Sequence, residues 1–254
     1  ECLTVEEDLP NRGVCAVCRN LGSLVRNCVE VCCSNNSRAG QPTKHNKGCK
    51  HTRITIEDDF STAKGEYKAT TNVRNSCTLV LAALPCTGGC PFQFLNIKRG
   101  GKTALKIKSH WVLFSKLWKA LVRVMQCAHD CGAIIVIEWP TRCTYWKLKK
   151  VEAACIRFGL VRVHFNGCMF GLCSVSKKHY GKPILKPWTF ATNCPEILDA
   201  FRPMQCAHGS IEHAPCAGID TKRTEGYTDA MVACLHDAFA KYVKRIKNVQ
   251  NNDG

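Results

Sequence analysis

The sequence predicts an α/β protein with a doubly wound, mostly parallel sheet. Two observations carry this. Short apolar runs of strand type alternate with amphipathic helical runs along the chain. One of the strands, residues 133–137, is apolar without a break, as strands covered on both faces are. No internal repeat and no low-complexity tract offers another architecture.

The elements follow in order. Residues 28–32 (CVEVC) form a first short strand, and a polar loop rich in Asn, Ser, Gly and Lys runs from 34 to 48. Residues 52–56 alternate as a strand would and end in Glu57, Asp58 and Asp59. A weak helix comes next, then a β-rich run over 78–84 stopped by Pro85. Ile107, Trp111, Phe114, Trp118, Leu121 and Met125 step by fours and threes, which places them in one stripe of a helix, with Lys108, Lys116, Lys119 and Arg123 opposite. Gly132 closes that helix ahead of the 133–137 strand. A helix over 149–158 and strands over 160–165 and 188–191 continue the alternation. The last helix, 229–247, starts with acid and ends with Lys241, Lys244, Arg245 and Lys247, as the helix dipole favours. The expected division is a poorly structured segment over 1–24, an α/β domain over 25–247 and a polar tail over 248–254.

The chain has 254 residues, 45% of them hydrophobic and 22% charged, enough to build one sizeable core. The longest apolar run is about six residues, which excludes a membrane-spanning helix. Thirty-six Lys and Arg against 20 Asp and Glu leave a net charge of +16. Such an excess points to a polyanionic partner, nucleic acid most simply, or to a merely basic protein. No acid occurs from residue 98 to residue 128, so that run is either a solvated face or a surface that tracks phosphates. Twenty cysteines are spread over a chain able to bury its own core, and Cys77, Cys155 and Cys234 lie in apolar runs as small hydrophobes. A reducing interior, nucleus or cytoplasm, is therefore expected, with a monomeric protein. The chain starts at Glu1, consistent with a fragment or a processed form; no signal peptide is visible in it, and one could have been cleaved.

Chemistry is expected at the strand ends, because open parallel sheets gather ligands there. The strand ending at Leu84 runs into Pro85-Cys86-Thr87-Gly88-Gly89, and the 133–137 strand ends in Glu138-Trp139-Pro140. A cysteine and a carboxylate on neighbouring strand ends can attack a ring carbon and steady the charge that follows. The other reading of Cys86 is an inert, half-buried thiol in a tight turn. Position 92 is Phe rather than Arg, which excludes a phosphatase-type loop. Cys206-x-His208-x4-His213-x2-Cys216 supplies four side chains that zinc accepts as a structural site, or a loop that carries them by chance. Cys15-x-x-Cys18 lacks a clean second pair.

The ordered set of Pro85-Cys86, Glu138 with its proline, Phe170-Gly171-Leu172, Lys186-Pro187-Trp188 and His213-Ala214-Pro215-Cys216 resembles C5-cytosine DNA methyltransferases. The similarity is greatest to their divergent relatives beside retroelement genes, and spans about residues 30–240. The resemblance implies a sheet of the S-adenosylmethionine-dependent methyltransferase type. Cys86 would add to C6 of a flipped cytosine, and Glu138 would hold the base at N3. Glu30, Cys32, Ser34, Ser37, Pro85, Gly226 and Thr228 would line the S-adenosylmethionine pocket, with Glu57 or Asp58 on the ribose. Lys98, Arg99, Lys102, Arg142 and Lys186 would meet nucleic acid, DNA ahead of RNA. Trp139 stands where the family has Asn, the 32–37 loop has no glycine, and the path from Glu30 to Cys86 leaves room for one strand-helix unit fewer. The alternative to the enzyme is a degenerate relative that binds nucleic acid or a partner.

Overall fold

A computed structural model describes residues 25–208 and 213–252, with side chains as far as Val249. The expected N-terminal segment over 1–24, with Cys15 and Cys18, lies outside the described residues. Strand β1 (Asn27–Val31) is buried along its length, as are β3 (Thr78–Ala82) and most of β4 (Ile134–Pro140). β2 (Lys50–Ile54) is buried only at Ile54, which suits its place at the sheet edge. β5 (Val161–Asn166) and β6 (Pro187–Thr192) complete six strands in the order β2-β1-β3-β4-β6-β5.

The expectation of a doubly wound, mostly parallel sheet needs correction at one end. β2, β1, β3 and β4 are parallel, but β6 runs antiparallel to both β4 and β5, so the sheet is mixed. The cause is the chain between β5 and β6. Parallel return needs a crossover of a dozen or more residues, usually a helix. This segment holds only two short 3-10 turns, so β6 comes back beside β5 in the opposite sense.

Helices cover both faces. α1 (Ala63–Asn72), α3 (Gly101–Asp130) and α4 (Lys149–Arg157) lie on one, where Phe114, Trp118, Leu121 and Met125 meet Val80, Ile135, Ile137 and Trp139. Phe114 stacks on Tyr145 with ring centres 3.7 Å apart. α5 (Pro195–Phe201) and α7 (Asp229–Asn252) cover the other face. There Met231, Leu235, Phe239 and Val243, four residues apart each time, sit with Leu79, Val136, Phe165, Phe190 and Phe201. Buried thiols such as Cys28, Cys77, Cys155 and Cys194 fill both cores as small apolar groups.

α3 starts at Gly101, one and a half turns before the apolar stripe, and has no buried residue before Ile107. A short helix, α2 (Gln93–Ile97), precedes it without burying any side chain. Phe92, Phe94, Leu95 and Leu105 are all exposed on this arm. α6 (Ile219–Arg223) links the β6 side of the sheet to α7. The polar tail expected from 248 instead continues α7 as far as Asn252. Among the described residues no helix is long and apolar enough to cross a membrane.

Candidate functional site

β1 pairs with β2 on one side and β3 on the other, so the direction of winding reverses between β1 and β3. A crevice opens outside the carboxyl ends of the strands at such a reversal. A cavity of about 1200 Å³ lies there, lined from β1, β4 and β6, from the segment that follows β3 and from the segment leading into α7.

The β1 wall begins with Glu30, which is buried. Its carboxylate accepts from the Ser37 hydroxyl and lies 3.0 Å from Nε2 of His51. The chain then turns at Cys32 with φ of 61°, the left-handed region usually left to glycine. The N–H groups of Cys32 and Cys33 donate to Ile54 O at 2.9 and 3.3 Å, which holds the turn. Thus Cys32 supplies the backbone bend that the glycine-free loop seemed to lack. Ser34 and Ser37 line the cavity with Glu30 and Cys32, and Arg38 reaches across to Asp229 at 2.5 Å.

Glu57 and Asp58, expected on the ribose, are not among the residues that line this cavity. Glu57 is exposed and accepts from Asn35 at 2.8 Å. Asp58 accepts from the Thr55 N–H at 2.9 Å and Lys68 Nζ at 2.8 Å, closing the turn into α1. The β2 edge carries them past the crevice, something linear spacing could not reveal.

On the β3 side, Pro85 is exposed and Cys86 half-buried, both lining the cavity. Cys86 sits at φ −94°, ψ 4° and leads into a 3-10 turn over Thr87–Gly89. The following glycines serve packing. A Cβ on Gly89 would stand 2.6 Å from Cys143 Sγ and 2.9 Å from the Tyr145 ring, and one on Gly88 2.4 Å from the Tyr145 hydroxyl. Only bare backbone lets the Cys86 turn seat on that aromatic floor.

β4 extends past the expected end at residue 137, so Glu138 lies within the strand, opposite Phe190 of β6. It is buried and accepts from the Tyr227 hydroxyl at 3.4 Å. Next to it Trp139 turns into the core, where its indole N–H donates to Leu84 O at 2.8 Å. The tryptophan therefore ties β4 to the backbone two residues before Cys86. Lys186, expected among the phosphate contacts, is half-buried on the cavity wall. Its ammonium donates to Thr224 O and lies 5.0 Å from the centre of the Trp188 ring.

Burial dominates the acid–base character of this group. It pushes Glu138 from 4.5 up to about 7, with Lys186 and the Tyr227 hydrogen bond acting against it. Burial, then the neighbouring Glu138, pushes the Cys86 thiol up to about 11, while Lys186 opposes them. Lys186 is itself pushed down by loss of water, against the attraction of Glu138. The Tyr227 phenol is raised by burial and by Glu138.

Gly226 and Thr228 line the cavity on either side of Tyr227, and the Thr228 hydroxyl accepts from Met231 N at the start of α7. Phe170, Gly171 and Leu172 form the opposite wall. Asp220, buried in α6, accepts from Ser174 Oγ at 2.6 Å and Val175 N at 2.9 Å and so fixes the continuation of that wall. Sequence reasoning missed the pairing of Tyr227 with Glu138 and the cavity-facing Arg38 and Asp229. The one signal for the first was the need of a buried carboxyl group for a partner.

Lys98, Arg99 and Lys102 are exposed on the α2–α3 arm. Arg142 lines a second cavity of about 500 Å³ with Lys147, Arg162, His164 and Phe94. The thiol–imidazole cluster forms with a change of member. Cys206, His208 and His213 come together with Cys168, their ligand atoms within 4.8 Å of one another. Cys216 is exposed elsewhere, 3.2 Å from the Thr224 hydroxyl, so its expected place in the set is corrected.

Fold and site together define an α/β protein with a crevice at the carboxyl ends of a mixed sheet, lined by a cysteine and a buried carboxyl group. No protein-family model, curated protein or solved structure matches the chain.

Proposed function

We propose that this domain binds S-adenosylmethionine and methylates nucleic acid, most simply at C5 of cytosine in DNA. The observation that carries this reading is the convergence of Cys86, Glu138, Lys186 and Tyr227 on one crevice at the sheet's reversal point. These residues are scattered over the sequence, and together they make a nucleophile beside a carboxyl group poised near neutrality. At about 1200 Å³ the cavity has room for a nucleoside-sized cofactor beside one unstacked base.

S-adenosylmethionine would supply an electrophilic methyl group. The residues fit it: the Glu30 carboxylate lines the β1 side, where a sulfonium cation would meet negative charge, and Asp229 on the α7 side is already paired with Arg38. Cys32, Ser34, Ser37, Gly226 and Thr228 would hold it. On the other side, Cys86 sulfur bonds to C6 of the ring and shifts an electron pair towards C5. Protonated Glu138, held in place by Tyr227, donates to N3 and accommodates the charge. The Lys186 ammonium favours the thiolate that attack requires. Once C5 carries the methyl group, a base takes the C5 proton, N3 returns its proton to Glu138, and the S–C6 bond breaks to release the cysteine as thiolate. Lys98, Arg99, Lys102 and Arg142 contribute phosphate contacts, and the exposed Phe92 and Phe94 beside them offer faces for unstacked bases.

A second reading, a degenerate relative that binds nucleic acid or a partner without reacting, is favoured by one observation. The Cys86 thiol is held up at about 11, far from the thiolate. Trapping separates the two. With S-adenosylmethionine and an oligonucleotide carrying 5-fluorocytosine, the wild-type chain should form a covalent adduct, and Cys86→Ser and Glu138→Gln should not. The Cys90→Ser variant serves as the control that still traps. No adduct from wild type on single- or double-stranded DNA leaves the binding reading.

A further inference from the structure

Cys168, Cys206, His208 and His213 meet at the turn that leads into the cavity-lining Phe170. Cys168 is buried in the 3-10 turn that follows β5, Gly167–Phe170, and the other three lie on the loop that follows α5. Cys206 Sγ is 3.2 Å from Nδ1 of His208 and 3.4 Å from Nε2 of His213. A tetrahedron with Zn–S near 2.3 Å and Zn–N near 2.0 Å has edges of roughly 3.3–3.8 Å. Both cysteine–histidine separations thus match such edges, and all four ligand atoms lie within 4.8 Å of one another, so a small inward shift would seat an ion.

We propose that Cys168, Cys206, His208 and His213 bind one zinc ion, and that the ion is a structural clamp on the cavity wall. Four protein ligands leave no open position, which marks a structural and not a catalytic centre. The clamp joins segments that otherwise share few apolar contacts. Among the described residues of 205–216, only Ala214 belongs to a hydrophobic core. Among the described residues the loop is also held by hydrogen bonds such as Cys206 N to Asn166 Oδ1 at 2.7 Å and Ala214 N to Pro183 O at 2.8 Å. Cys168 stands two residues before Phe170, where the cavity wall begins, and the far end of the loop leads to α6 and Tyr227. An ion here fixes the wall formed by Phe170, Gly171 and Leu172 against the segment that carries Tyr227. The inference does not rest on the methyl-transfer reading, since it uses none of the cavity's reacting groups.

The test is metal analysis of the full chain, purified in reductant and equilibrated with zinc. One zinc per chain is expected, with a lower melting temperature after chelation. Cobalt substitution should give the intense tetrahedral visible bands and the sulfur-to-cobalt charge-transfer band of a two-thiolate site. Cys168→Ser and His213→Ala should lose the metal, and Cys216→Ser should keep it. If the serine variant at 168 fails to fold, the cobalt spectrum of Cys216→Ser still decides: an unchanged two-thiolate band supports the set, and loss of a thiolate overturns it. Wild type without zinc after equilibration overturns the proposal, and so does metal lost from Cys216→Ser but kept by Cys168→Ser. A mass two units low with Cys168 and Cys206 protected from alkylation also overturns it, because those thiols would then form a disulfide.

Discussion

Replacing Glu138 by Gln should change how stability depends on pH, with a sign opposite to that of an ordinary paired carboxylate. Burial raises the folded pKa from 4.5 to about 7, so the folded protein holds a proton that the unfolded chain releases. Stability from this group is full below about pH 4.5 and is lost as pH rises through about 7. The shift of about 2.5 units, at about 1.36 kcal/mol each, amounts to roughly 3 kcal/mol, of which about 2.5 falls between pH 5 and pH 8. Glutamine keeps the shape and can accept the Tyr227 hydrogen bond, but it does not titrate. The difference in unfolding free energy, variant minus wild type, should therefore rise by about 2.5 kcal/mol from pH 5 to pH 8. Urea denaturation of both proteins at four pH values measures it, and groups common to both cancel in the difference. Parallel pH profiles would refute the reasoning, because they would mean Glu138 is ionised throughout and not poised as a proton donor. Trapping should disappear in the same variant, so stability at high pH and activity move in opposite directions.

Other outcomes follow from the same geometry. Cys86, with its thiol pushed from 9.0 up to about 11, should react with iodoacetamide at neutral pH roughly 100-fold more slowly than an ordinary thiol, and about tenfold faster per pH unit on raising the pH. Lys186→Met should slow it further, which peptide mass spectrometry will resolve. Gly89→Ala places a Cβ 2.6 Å from Cys143 Sγ and should destabilise the fold by about 1–3 kcal/mol in urea melts while abolishing trapping. Gly226→Ala, with nothing within 4 Å, should leave stability unchanged. Calorimetry with S-adenosylmethionine should give the same affinity for Glu57→Ala as for wild type, since Glu57 faces Asn35 and not the cavity. A large loss of affinity would return that residue to the site.

The fold was legible where side-chain period meets burial. The stripe from Ile107 to Met125 reads as one helix face because Phe114, Trp118, Leu121 and Met125 are buried in the core against the sheet, with Ile107 buried and Trp111 half-buried beyond them. The 133–137 strand reads as central because it is central. The start of α3 and the whole of α2 left little trace, since an element that buries nothing imposes no period. The reversal of β6 was hidden for a different reason: strand direction is decided by the path of the connection, and alternation is the same in both directions.

For the site, the sequence by itself determined the two groups that local structure positions. Cys86 and Glu138 sit on or directly after apolar strands, and parallel strands of one sheet bring their carboxyl ends to one edge. Only the tertiary structure decided what surrounds them. It brought Lys186 and Tyr227 to Glu138, carried Glu57 and Asp58 past the cavity, and exchanged Cys216 for Cys168 in the thiol–imidazole cluster. Those partners come from loops and from the far end of the chain, and no spacing along the sequence encodes which loop crosses which strand end. That is settled by the packing of two helical layers on a mixed sheet, a contact between residues remote in sequence and adjacent in space.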